Sequence, residues 1–133
     1  MVVKMLQALF YHIGLAFTGR HDGTGLPSSL KSPVFWLLAV ISLGALLLRI
    51  AIWDDHRYEW WELIIANLAV IAIIRAYVRE EVSVQAIACF LLFLIAHEAL
   101  FILIGWLPRE ILSGIDVVMA IMLALDIAEI DGE

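Results

Sequence analysis

The sequence predicts an all-α integral membrane protein: a four-transmembrane-helix bundle preceded by an N-terminal amphipathic interfacial helix. Three observations carry that expectation. Hydrophobic residues make up 64% of the 133-residue chain and charged residues only 17%, where soluble domains are usually about 45–50% apolar. The mean hydropathy is +1.00. Four apolar runs, at 34–53, 61–78, 84–107 and 111–128, each approach or exceed the roughly 20 residues that cross a bilayer at 1.5 Å per residue. The length suits one membrane domain, 1–133. The net charge of -6 argues against nucleic-acid binding, which requires a basic footprint. Cys89 is the only cysteine, so neither an intramolecular disulfide nor a cysteine-based zinc site is available within one chain.

Residues 1–18 place Lys4, Gln7, Tyr11 and Thr18 at spacings of three, four and seven, with His12 beside them, so the polar residues share one stripe. The other face is Val, Leu, Phe and Ile, as in a helix lying at a membrane interface. A cleaved signal peptide is the rival, but Gln7 and His12 interrupt the run and no clean small-residue cleavage site follows. Gly19 to Pro33 is rich in glycine, serine and proline and reads as a connector. Its glycine spacing fits no phosphate-binding loop, and no strand precedes it.

The first span opens with Pro33, which suits a first helical turn. Ser42, Gly44 and Ala45 form a small patch for close helix approach. Arg49 lies about one turn from the far end. The connection that follows, Asp54 to Glu62, is acidic and aromatic. Trp53, Tyr58, Trp60 and Trp61 form an aromatic belt at one membrane surface. Asp54, Asp55, His56, Glu59 and Glu62 are the weak candidates for a metal site, with Glu59 and Glu62 one turn apart. The simpler reading is a solvated hairpin tip whose acids favour the next helix N-terminus.

The second span carries Asn67 and Arg75. Its alanines Ala66, Ala69, Ala72 and Ala76 recur at 3–4 spacing and predict a narrow packing face. Arg79-Glu80-Glu81 turns at once into the third span, so these two spans are expected to be antiparallel neighbours. The third span holds His97-Glu98 inside the hydrocarbon. The fourth holds Asp116 and Asp126, with Ala120, Ala124 and Ala128 along one face.

From Glu62 onward, about half of the chain resembles the phosphate-starvation-inducible, PsiE-like family of small four-span membrane proteins. The resemblance rests on the acid opening the second span, on Ile73-Ile-Arg-Ala-Tyr-Val-Arg79, and on the immediate turn into Val82-Ser-Val-Gln-Ala-Ile87. Where that family pattern has an arginine in the third span, this chain has His97-Glu98. The resemblance implies the four-span architecture and brings no biochemical activity with it.

Ionisable residues within spans are costly and mark function or helix pairing. Measured from the hairpin-tip side, helical rise puts Arg49, Asn67 and Asp116 roughly 6–9 Å deep and His97 and Glu98 roughly 14–15 Å deep. One intramembrane polar cluster of Arg49, Asn67, His97, Glu98 and Asp116 is therefore within reach. Arg75 and Asp126 share a depth in the other half and form a possible ion pair.

Three functional readings follow. The leading one is an accessory or structural subunit of a larger membrane complex or homo-oligomer, its partners being membrane lipids and other transmembrane subunits or copies of itself. The second is a proton or ion pathway through His97, Glu98 and Asp116. The third is a metal- or haem-binding subunit; His97 is the one histidine within a span, so paired axial ligation needs His12 or a second subunit. No catalytic motif is present and no cofactor is predicted. Lys4, Arg20, Lys31, Arg75 and Arg79 on one side against Arg49, Arg57 and Arg109 on the other favour a plasma-membrane protein with both termini cytoplasmic.

Overall fold

A computed structural model describes residues 2–53 and 59–132. The described residues form five helices: α1 (Val2–Phe17), α2 (Pro33–Ile52), α3 (Trp60–Tyr77), α4 (Glu80–Ile104) and α5 (Arg109–Asp131). Four of them, α2 to α5, are long and apolar enough to cross a membrane.

The helices start and stop where local chemistry dictates. Pro33 occupies the first turn of α2, where its missing N–H costs nothing. Glu62 reaches back to accept from the Glu59 backbone N–H at 3.4 Å, a capping contact that gives these two acids a structural task at the start of α3. Glu80 and Glu81 fall in the first turn of α4, where negative charge complements the helix dipole. That helix therefore begins four residues before the expected span. Gly132 adopts the left-handed conformation that ends α5, so this helix runs past Ala128 to Asp131.

The bundle is built around α4. Helices α1, α2, α3 and α5 all pack against it, most extensively α2. Residues Ala86 to Leu94 are buried on every side, as suits a helix with no polar face. Ser83, Ala86, Ala88 and Cys89 keep that shaft thin enough for its neighbours to close on it. Helix α2 meets it through Phe35, Leu38, Ser42, Leu46 and Arg49, one stripe at 3–4 spacing.

The alanine faces do not pack as expected. Helix α3 turns Leu63, Asn67, Val70, Ile71 and Ile74 inward, while Ala69, Ala72 and Ala76 are exposed. Ala124 and Ala128 of α5 are exposed too. The reason is area: branched and long apolar side chains bury more surface than alanine does, so within one chain they win the face toward α4.

Each end of the bundle is pinned. At the aromatic end, Trp53 Nε1–H donates to the Ile102 carbonyl at 2.8 Å, and its indole lies against Gly105. A Cβ on Gly105 would stand 2.5 Å from that ring. At the other end, Arg79 donates from its backbone N–H to Asp131 Oδ1 and from Nε to the Asp131 carbonyl, both at 2.9 Å. The short α3–α4 turn is thereby tied to the C-terminus of α5.

The segment after α1 is more than a connector. Phe17 packs edge-on against Phe93, ring centroids 5.1 Å apart, and Gly19 abuts Met122 and Leu125. The chain then turns back along α5 through His21 and Gly23, which lies against Ile130. Helix α1 and this returning segment form a hairpin seated between α4 and α5. Its apex lies roughly 13 Å in from the end of α5 by helical rise.

Gly105→Ala is expected to cost about 1–3 kcal/mol, the range for overfilling a packed site. Gly114→Ala, where no atom lies within 4 Å of the added methyl, is expected to be neutral or stabilising. Thermal unfolding of both variants in one detergent checks the contrast; equal midpoints would contradict it.

Candidate functional site: a charged cleft between α3 and α5

The five residues of the expected polar cluster line one cavity of about 190 Å³. Helix α2 contributes Arg49, α3 contributes Asn67, α4 contributes His97 and Glu98, and α5 contributes Asp116. Phe90, Phe93, Met119 and Leu123 make its apolar floor. Helices α3 and α5 flank it without packing extensively on one another. It therefore opens sideways between them.

His97 is the keystone. Its Nδ1 lies 3.0 Å from Glu98 Oε1 and its Nε2 lies 2.8 Å from Asp116 Oδ1. Phe101 stacks beneath it at 4.3 Å between centroids, one turn further along α4, and the Arg49 guanidinium carbon sits 5.2 Å from the centroid of the same ring. The phenyl face thus supports one cation directly and sets the plane of the imidazole.

Glu98 is 2% exposed, and Arg49 Nε approaches its Oε2 at 3.6 Å. That distance is an ion pair and too long for a hydrogen bond, so Oε2 is left without a hydrogen-bond partner. Asp116 is the open member, its side chain 31% exposed. Asn67 lines the cavity but donates to the Leu63 carbonyl of its own helix at 2.9 Å. It shapes the wall and takes no part in the charge chain.

An imidazolium donates from both ring nitrogens; a neutral imidazole donates from one and presents a lone pair to the other carboxylate. His97 is therefore fully bonded to both carboxylates when it carries a proton on each ring nitrogen.

No known protein family, characterised protein or solved structure matches this chain. The site must be read from its own geometry.

The other expected groupings fare differently. Arg75 is exposed and does not pair with Asp126. Asp126 is wholly buried and accepts instead from the His21 backbone N–H at 2.9 Å. Equal depth did not bring the two together because they project from different helices in different directions. Of the weak metal candidates, Asp54, Asp55 and His56 lie outside the described residues. Glu59 and Glu62 are engaged in the start of α3. Among the described residues, no group of three or more His, Cys, Asp or Glu is disposed to hold a metal. Two partners were missed in the sequence: His21, whose loop position hid its burial, and Arg79, whose clasp on Asp131 spans 52 residues.

Arg49→Ala is expected to destabilise the fold by about 3–5 kcal/mol, since it strands Glu98 as an unpaired buried charge. Arg49→Met combined with Glu98→Met is expected to regain most of that loss, because removing both partners removes the stranded charge. Unfolding of the single and double variants in detergent gives the comparison. A double variant no more stable than Arg49→Ala would contradict the pairing.

Proposed function

We propose that this chain is a multi-pass membrane protein, α2 to α5 being its spans, that acts as an accessory or structural subunit of a larger membrane complex or homo-oligomer. The observation that carries the reading is the sideways opening of the charged cleft. In a bilayer that opening would turn Asp116 and His97 toward hydrocarbon, at a cost of about 2.5–3.5 kcal/mol or more for one charged group at mid-depth. A helix from another subunit, closing the gap between α3 and α5, relieves that cost.

Two features support the same reading. Helix α3 buries fully only Ile74 and presents Ala69, Ala72 and Ala76 outward, where lipid gives no reason for small residues but a neighbouring helix does. The N-terminal half of α1 exposes Val2, Val3, Met5, Leu6 and Phe10, which suits burial at a membrane interface. The resemblance to PsiE-like proteins from Glu62 onward implies the same four-span architecture. The modest excess of basic residues on the N-terminal side supports a plasma-membrane protein with both termini cytoplasmic.

The second reading, a proton pathway, is favoured by the Glu98–His97–Asp116 bridge, which holds one exchangeable proton. Against a pathway through a single chain stands the roughly 15 Å of α5 between Asp116 and the next buried carboxylate, Asp126. Phe93, Met119 and Leu123 line that interval with no polar group.

Purification in mild detergent from native membranes, followed by light scattering, tests the leading reading. A defined oligomer or co-purifying membrane subunit is expected; a monodisperse lone monomer would sink it. For the second reading, reconstituted vesicles should lose proton flux on Glu98→Gln and on Asp116→Asn. Flux equal to that of the unsubstituted protein in both would remove the pathway.

A further inference from the structure

The hairpin formed by α1 and the irregular segment after it seats a second polar centre, remote from the charged cleft. We propose that residues 18–25 are a plug over the buried Asp126 carboxylate, and that the His12–His21 pair releases this plug when the solution on its side turns acidic. The inference is independent of the assembly reading, because it concerns the opposite half of the bundle.

The plug buries His21 and Gly23 and leaves Thr18, Arg20, Asp22, Thr24 and Gly25 exposed, so the polar groups at its buried points need partners. Gly19 N–H donates to the Ala16 carbonyl and Arg20 N–H to that of Leu15. His21 N–H donates to Asp126 Oδ1, Gly23 N–H to His21 Nδ1 and Thr24 N–H to Asp22 Oδ1, each at 2.9 Å. Gln85 of α4 donates to the Gly23 carbonyl at 3.2 Å. The set is closed around one side chain, His21, which is 0% exposed.

The hydrogen bonds dictate the tautomers. Because Nδ1 of His21 accepts from Gly23, its proton lies on Nε2. That Nε2–H faces His12 Nδ1 at 2.9 Å, so His12 accepts there and carries its own proton on Nε2. The two rings stack with centroids 5.0 Å apart. His12 also lies against Gly25, where a Cβ would stand 3.0 Å from the imidazole; with φ at +86°, the position suits glycine on both counts.

An added proton has nowhere to go. On His12 Nδ1 it meets the Nε2–H of His21. On His21 Nδ1 it meets the N–H of Gly23. Passing the proton between the rings only exchanges one collision for the other. Every protonated state therefore breaks a hydrogen bond that holds the plug. Burial holds both imidazoles below the ordinary histidine range. At His21 the neighbouring His12 acts in the same direction, and Asp22 opposes them.

Few groups face the pair. The loop contributes Asp22, an exposed carboxylate already held by Thr24. Helix α4 contributes the uncharged Gln85 and the buried thiol of Cys89. Helix α5 contributes Asp126, and beyond it Asp131, which is occupied by Arg79. Asp126 Oδ2 is buried with no hydrogen-bond partner, so the plug closes over an acceptor that water would otherwise satisfy.

The sign follows from the depressed histidines. With seated pKa values below the free ones, the histidine contribution to the plug's stability is complete above the free histidine value of about 6.5. It is lost as pH falls below that value, because the released state binds more protons.

Hydrogen exchange of the full chain in lipid nanodiscs, corrected for intrinsic rates and compared at pH 8 and pH 5.5, reads the release. Protection of amides 19–24 is expected to fall by about tenfold or more, while the α4 amides 86–94 keep theirs. Unchanged protection of 19–24 would overturn the proposal. His12→Gln with His21→Gln should give low protection at both pH values; a pH response surviving there would equally overturn it. Asp126→Asn keeps an acceptor for His21 N–H and should keep the pH response. Its disappearance in that variant would place the sensor on the carboxylate and refute the histidine release. The unsubstituted chain and Asp126→Asn decide the question even if the double variant does not fold.

Discussion

The ion pair between Arg49 and Glu98 is the contact on which the aromatic half of this protein depends. Both side chains are buried, and neither is tolerable there alone, because a lone charge in apolar surroundings carries a desolvation penalty of several kcal/mol. Their pairing draws α2 onto α4. Glu98 in turn holds His97, and His97 holds Asp116 of α5. Three helices are thus tied at one depth by a chain of charges that fits a single register. Apolar packing alone does not choose among registers, since sliding one helix along another exchanges leucine for leucine.

The opposite half uses a different device. Its irregular backbone enters the bundle instead of a charged side chain, and the cost is met by hydrogen bonds from backbone N–H groups to Asp126, His21 and Asp22. Arg79 and Asp131 close the end. The two halves are separated by the apolar layer around Phe93, Met119 and Leu123. The centres also differ in access. The cleft opens sideways between α3 and α5, whereas His21 and Asp126 are covered from every side.

Much of the architecture was legible in the residues. Apolar run length located the four long helices, and Pro33 marked a start where the structure has one. The polar cluster was legible as depth, because helical rise converts position into height with little error. What rise cannot supply is azimuth. Arg75 and Asp126 share a height but not a direction, and the same rule that grouped Arg49, Asn67, His97, Glu98 and Asp116 failed for that pair. The alanine faces misled for a related reason: 3–4 spacing shows that residues share a face, but not whether that face meets this chain or something outside it. His21 gave no signal, since a histidine in a glycine-rich stretch reads as solvent-exposed unless its distant partner is known.

Composition and periodicity by themselves determined the helical class, the number of long apolar helices and the depth at which charged residues must be accommodated. These follow from short-range physics: 1.5 Å of rise per residue, and the cost of burying charge in apolar surroundings. Only the tertiary structure decided that α4 is the shaft, that His97 bridges two carboxylates, and that the stretch after α1 folds back over Asp126. Those outcomes depend on the rotation of each helix about its axis, and rotation is selected by contacts between residues as far apart as His21 and Asp126, 105 positions along the chain.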